Sequence, residues 1–227
     1  MEKKLIIFDF DGVIADGFPF GRKNLHSSYI ELAEKYESLS RLKFEEFTIK
    51  NLIKSGIKLN PLKYPNFLKD LFHIYKRKKY DLILHEGIDE VVKSLAGKEY
   101  LITIASYTFS NVINWFLKKH LLQEHFIKVL GPNHNLHKYH NLLKLMKTFK
   151  VKPENTVLIT DTVIDLKQAN RAGIKTIAVS YGHGKINDLK EEGFNQLVHA
   201  PSDILKAIEK IFNTNINNEE RNNQGIS

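Results

Sequence analysis

Four short apolar runs, each ending in a polar residue, constrain this chain more than any other feature of its sequence. Leu5-Ile6-Ile7-Phe8 passes directly into Asp9-Phe10-Asp11, Leu101–Ala105 ends at Ser106, Thr156–Thr160 ends at Asp161, and Thr176–Ser180 ends at Tyr181-Gly182. A continuous apolar run of this length is the pattern of a strand buried on both faces, as in a parallel sheet. Helical periodicity falls between the runs, over about 88–96, 110–121, 138–149 and 163–172, and the last stretch closes on Ala172-Gly173, a C-cap glycine signal. The alternation predicts an α/β fold built on a doubly wound parallel sheet. Ligands bind outside the carboxyl ends of the strands in such sheets, so Asp9, Asp11, Ser106 and Asp161 are expected to converge there despite their separation in sequence.

The stretch from Phe18 to Leu84 breaks the alternation. Apolar positions such as Ile30, Leu32, Ala33, Phe44, Phe47, Leu52, Ile53, Phe67, Leu68, Leu71 and Phe72 recur at helical spacing and predict a small helical insert. The expected division is a core over 1–17 and 85–212, an insert over 18–84, and a disordered tail over 213–227, where the sequence is polar and rich in Asn. A length of 227 residues suits one compact domain with a smaller companion.

The absence of cysteine excludes disulfides, thiolate-bound zinc and cysteine nucleophiles, and leaves hard cations held by oxygen as the expected metals. The apolar run after Met1-Glu2-Lys3-Lys4 is too short for a signal-peptide core or a membrane span, so a cytoplasmic location without membrane attachment is expected. The net charge is +8, but the lysines are spread over nearly every predicted helix and Lys76-Arg77-Lys78-Lys79 is the only dense cluster. That distribution predicts a solvated basic surface and no nucleic-acid partner.

Asp9-Phe10-Asp11-Gly12-Val13 places two carboxylates two residues apart at a strand exit, with a glycine that permits a tight turn. A carboxylate near Mg²⁺ can attack phosphorus, and a second carboxyl can protonate the leaving oxygen and later take a proton from water. The pattern resembles the D-x-D-G-[TV] opening motif of the haloacid dehalogenase superfamily, in particular its phosphoglycolate phosphatase-like branch. The resemblance implies Asp9 as nucleophile and metal ligand, with Asp11 as general acid/base whose backbone carbonyl also faces the metal. The halide-removing branch lacks the second aspartate, so Asp11 points to phosphate.

Three further motifs extend the resemblance from Leu5 to about Leu205. Ser106 matches the Ser or Thr that binds a phosphate oxygen after the second motif strand, although Tyr107 stands where the family often has Asn or Gly. Lys138, 23 residues before Asp161, matches the phosphate-neutralising lysine, while Lys144 and Lys147 on the same predicted helix read as solvated. Thr160-Asp161-Thr162-Val163-Ile164-Asp165 matches G-D-x-x-x-D with Thr160 in place of the glycine, and implies Asp161 as a direct metal ligand and Asp165 as one that binds the metal through water or orients Lys138. Asp9, Asp11, Asp161 and Asp165 would thus form a site for Mg²⁺, a cation that takes few protein ligands and keeps several waters.

In this family the insert after the first strand is a helical cap that closes over the site and supplies substrate contacts, with Arg22, Lys23, Lys43 and Lys50 as candidate anion contacts. His134, His137 and His140 read as exposed histidines, His183 as a loop histidine near the presumed site, and Trp115 as core. The expected partner is a small phosphorylated metabolite. The leading function is a Mg²⁺-dependent phosphatase, against a sugar phosphomutase or phosphotransferase, a non-catalytic phosphate-binding protein, a phospho-acceptor signalling domain whose motif order differs, and a basic nucleic-acid-binding protein.

Overall fold

A computed structural model describes residues 2–16, 35, 65–66, 69–70, 82–98, 100–132 and 137–213. The chain divides into two compact units, Met1–Asp16 with Leu84–Ser227, and Gly17–Ile83. The described residues of the second unit before Leu82, namely Lys35, Pro65, Asn66, Lys69 and Asp70, are helical, and Lys35 Nζ lies 2.6 Å from Asp70 Oδ2. The remaining insert positions named above lie outside the described residues. So do Lys76–Lys79, His134 and the tail beyond residue 213.

The first unit is built on six parallel strands: β1 (Leu5–Phe8), β2 (Leu101–Ala105), β3 (Lys128–Leu130), β4 (Thr156–Thr160), β5 (Lys175–Val179) and β6 (Gln196–Val198). Their spatial order is β3-β2-β1-β4-β5-β6, so the order reverses at β1, the position where a doubly wound sheet opens its ligand crevice. Phe8 is level with Ile104 of β2 and Ile159 of β4. The three central strands therefore end in step, and Asp9, Ser106 and Asp161 leave the sheet at one edge.

Helices α1 (Ile88–Gly97), α2 (Ser110–Lys119), α3 (Lys138–Phe149), α4 (Val163–Ala172) and α5 (Ile186–Glu192) connect the strands. A further helix runs over 204–213. Side chains alternate along β1, as a strand's period of two requires. Leu5 and Ile7 join Leu142, Leu145 and Met146 of α3 and Ala169 and Ala172 of α4 in one buried cluster. Phe8 instead meets Phe126 edge-on, with ring centres 6.1 Å apart. Helix α4 ends as the sequence predicts, at Gly173 in the left-handed region with φ 71°. Trp115 departs from expectation: it is only partly buried, and the adjacent Phe116 fills the core, edge-on to Phe10 at 5.2 Å. Among the described residues, no helix is long and apolar enough to cross a membrane.

Candidate active site

The site is centred on the tip of β1. The Asp9 N–H donates to the Ile159 carbonyl at 2.9 Å, extending the β1–β4 pairing by one residue. Asp9 Oδ1 accepts from the Phe10 N–H at 2.7 Å, and Oδ2 lies 2.9 Å from Lys138 Nζ. Lys138 opens α3 with only 2 % of its surface exposed, and its ammonium also donates to Asp165 Oδ2. Lys144 and Lys147 of the same helix are exposed.

Asp11 begins a tight turn in which the Gly12 N–H donates to the Ala15 carbonyl at 2.8 Å. Its Oδ2 accepts from Thr108 Oγ1 at 2.5 Å. Ser106 is buried, its N–H bonded to the Leu130 carbonyl at 3.0 Å and its Oγ accepting from the Thr108 N–H at 3.0 Å. Thr108 therefore ties the second motif to the first.

Asp161 leaves β4 into a pocket made largely of backbone. Gly12, at φ 76°, comes so close that a Cβ there would overlap the Asp161 carboxylate. A Cβ on Gly182 would sit 2.6 Å from Asp161 Oδ2 and 2.6 Å from the Gly12 carbonyl oxygen. Only glycine allows this approach. The His183 N–H donates to Asp161 Oδ2 at 2.7 Å, and Asp161 Oδ1 is buried without a hydrogen-bond partner.

Asp165 lies in the first turn of α4, its N–H capped by Thr162 Oγ1 at 3.4 Å. Thr160 Oγ1 donates to Asp165 Oδ2 at 2.9 Å, so the residue that replaces the family's glycine adds a ligand to this carboxylate. Asp165 Oδ1, like Asp161 Oδ1, has no hydrogen-bond partner.

Charge in this cluster is unbalanced. Asp9, Asp161 and Asp165 are buried, Asp11 is half-buried, and Lys138 is the one buried cation beside them among the described residues. Burial pushes the Asp9 carboxyl well above the usual range; Lys138 opposes the rise and Asp165 adds to it. Burial likewise raises Asp11 against the Thr108 hydrogen bond, and Asp161 against the His183 N–H. For Lys138 burial works against the charge, but Asp165 and Asp9 together hold its pKa above the ordinary value. Buried carboxylates in excess of their counter-charge are costly unless a cation joins them.

A hard divalent cation fits this donor set. The site's buried donors are carboxylate and hydroxyl oxygens, two buried carboxylate oxygens have no partner, and the negative charge is in excess. No three His, Asp or Glu side chains among the described residues converge tightly enough to cage an ion alone. Mg²⁺ is a hard cation of this kind, commonly held by one or two carboxylates with waters and substrate oxygens.

Residues 6–179 match the family model described as haloacid dehalogenase-like hydrolase, and the chain belongs to that family. Among curated proteins it is similar to a phosphoglycolate phosphatase of Synechococcus elongatus, 23 % identical over 91 % of this chain and 98 % of the relative. A 5'-nucleotidase of Pseudomonas aeruginosa is 22 % identical over 82 % of this chain and 86 % of its own. Among solved structures, a haloacid dehalogenase-like hydrolase from Streptococcus pneumoniae superposes with a TM-score of 0.73 at 19 % identity, covering 90 % of this chain and 97 % of that one.

The structure brings together all six residues singled out in the sequence, Asp9, Asp11, Ser106, Lys138, Asp161 and Asp165. Sequence reasoning missed Thr108, Gln168 and the backbone role of Gly182. Thr108 carried one signal, a hydroxyl two residues past Ser106 at a strand exit. His183 meets Asp161 through its backbone N–H and also through its ring, whose Nδ1 lies 3.7 Å from Asp161 Oδ2, while Nε2 lies 3.9 Å from Asp16 Oδ1. His137 and His140 are exposed, as expected.

Proposed function

We propose that this chain is a Mg²⁺-dependent phosphatase that hydrolyses small-molecule phosphate monoesters through an aspartyl-phosphate on Asp9. The observation that carries the reading is the excess of carboxylate over ammonium at the tip of β1, with Asp161 Oδ1 and Asp165 Oδ1 unpartnered. Asp9, the Asp11 carbonyl and Asp161 would hold the ion, with Asp165 reaching it directly or through water. When bound, the ion supplies positive charge that screens the phosphoryl oxygens from the Asp9 carboxylate.

Asp9 attacks phosphorus in line with the departing alcohol, forming the acyl-phosphate O–P bond as the ester P–O bond breaks. Asp11 donates its proton to the leaving oxygen. Burial, which raises the Asp11 pKa, favours the protonated form this step needs. Water then attacks the aspartyl-phosphate and gives a proton to the Asp11 carboxylate, releasing phosphate and restoring Asp9. Lys138 and Ser106 stabilise charge on the equatorial oxygens. The unit Gly17–Ile83 serves as the cap that selects the alcohol portion of the ester.

Phosphate release from a panel of monoesters, with and without Mg²⁺, tests the reading. The native protein is expected to release phosphate only with the metal, and Asp9→Asn to release none. A folded native protein that hydrolyses no ester overturns the phosphatase reading, and transfer to a second sugar without phosphate release replaces it with a mutase.

A further inference from the structure

Tyr107 stands between Ser106 and Thr108, where the family often carries Asn or Gly, and the structure gives it a task that a small residue could not perform. Its ring centre is 5.2 Å from Lys138 Nζ, within the range of a cation–π contact. Its hydroxyl accepts from Gln168 Nε2 at 2.8 Å. Gln168 lies on α4 three residues after Asp165, and such neighbours share a helix face. Its Oε1 accepts from the Tyr139 N–H at 2.7 Å, one of the donors left without an intrahelical partner at the start of α3. A backbone N–H can only donate, so the amide oxygen must face Tyr139 and the amide nitrogen must face Tyr107.

We propose that Tyr107, braced by Gln168, is a positioning residue that orients Lys138 toward the phosphoryl group, an inference that rests on the phosphatase reading above. Gln168 links the loop after β2 to the first turn of α3, the turn that carries Lys138. Asp9 and Asp165 take two of the three ammonium protons, and the Tyr107 ring walls one side. The third proton is thereby directed toward the phosphoryl group. Tyr107 itself is 37 % exposed while Lys138 is 2 % exposed, so the ring lies between the ammonium and solvent. The arrangement keeps Lys138 desolvated, and a desolvated ammonium interacts more strongly with phosphate than a hydrated one.

The test uses the full-length protein with Mg²⁺ and an ester that the native protein hydrolyses. Tyr107→Leu is expected to lower kcat/KM about tenfold and to weaken inhibition by inorganic phosphate by a similar factor. Tyr107→Phe keeps the ring and is expected to stay within about threefold of native, as is Gln168→Leu. The double variant Tyr107→Phe with Gln168→Leu is expected to be no worse than the poorer single one, because both remove the same hydrogen bond. By NMR, the Lys138 side-chain protons should be shifted upfield by the ring in native protein and in Tyr107→Phe, and should lose that shift in Tyr107→Leu. Kinetics and phosphate inhibition of Tyr107→Leu within twofold of native would overturn the proposal, as would the absence of the shift in native protein. A native protein that shows the shift but hydrolyses no ester would instead overturn the phosphatase reading, and the assigned role with it.

Discussion

The two halves of the site bury carboxylates in different ways. On the α3 side, Asp9 and Asp165 share the Lys138 ammonium, and Thr160 adds a hydroxyl to Asp165. On the Gly12 side, Asp161 receives one backbone N–H, is closed in by glycine backbone, and keeps one oxygen without a partner. The first half balances much of its charge with groups of its own. The second is shaped by the removal of side chains and holds no lysine against its carboxylate among the described residues, and each half leaves one buried carboxylate oxygen, Asp165 Oδ1 and Asp161 Oδ1, without a hydrogen-bond partner. Side-chain pairing therefore dominates the first half, and backbone shape dominates the second.

Lys138→Met attacks the balanced half and should have the largest effect. It leaves Asp9 and Asp165 without their cation, and breaking a buried pair by removing one partner costs about 3–5 kcal/mol. Chemical denaturation of the metal-free protein measures the loss, and a loss below about 1 kcal/mol would mean that the ammonium is not the partner that keeps these carboxylates buried.

Gly182→Ala attacks the shaped half. The added methyl meets Asp161 Oδ2 and the Gly12 carbonyl, each at 2.6 Å, and must displace the carboxylate. Displacement of this order costs about 10²-fold in turnover. The expected result is a fall in kcat and a higher Mg²⁺ requirement with little loss of stability, read from titrations of activity against Mg²⁺. A variant that loses stability while keeping its metal requirement would show that the glycine serves packing alone.

Asp161→Asn sharpens the contrast, because it should stabilise the protein while disabling it. Burial raises the Asp161 pKa in the folded state, so the stabilising contribution of the protonated form is lost as pH rises through that folded pKa. At pH 7 without metal the native carboxylate is a burden, and the amide should gain about 1–2 kcal/mol, or roughly 2–8 °C in Tm. The gain should shrink at low pH, once the pH has fallen below that folded pKa and the native carboxyl has taken up its proton. Added Mg²⁺ should raise the native Tm and leave that of the variant unchanged. Thermal scans at both pH values, with and without Mg²⁺, check the sign, and an equal Mg²⁺ response in both proteins would remove Asp161 from the metal site.

Thr160→Val removes a hydroxyl that donates to Asp165 and accepts from the Thr162 N–H, and should cost about 1.5–3 kcal/mol, the range for a hydrogen bond to a charged group. Thr160→Ser should recover it. If valine and serine behave alike in denaturant titrations, the hydroxyl contributes nothing to holding Asp165.

Much of this was legible in advance because strand-end chemistry is local. The runs 5–8, 101–105 and 156–160 are strands with the expected bounds, and each delivers its polar residue to one edge. Lys138 stood out only by spacing, and Lys144 and Lys147 were separated from it by burial, a property of the folded helix. The strands Lys128–Leu130 and Gln196–Val198 escaped notice because three residues are too few to show a period of two. Thr108, Gln168 and Gly182 escaped for a different reason: each matters through an atom whose partner lies 29 or more residues away or through a backbone approach that leaves no pattern in sequence, as in the Gln168–Tyr139 bond.

The sequence by itself determined the class of sheet, the edge where the chemistry gathers and the six side chains that gather there, because apolar runs and the polar residues ending them are set by local order. Only the tertiary structure decided how those side chains are held: that Asp9 and Asp165 share the ammonium, that Asp161 and Asp165 each keep an unpartnered oxygen, and that a tyrosine walls the lysine. Those outcomes depend on distances between elements far apart in the chain, and electrostatic and hydrogen-bond energies are decided by such distances once water is excluded.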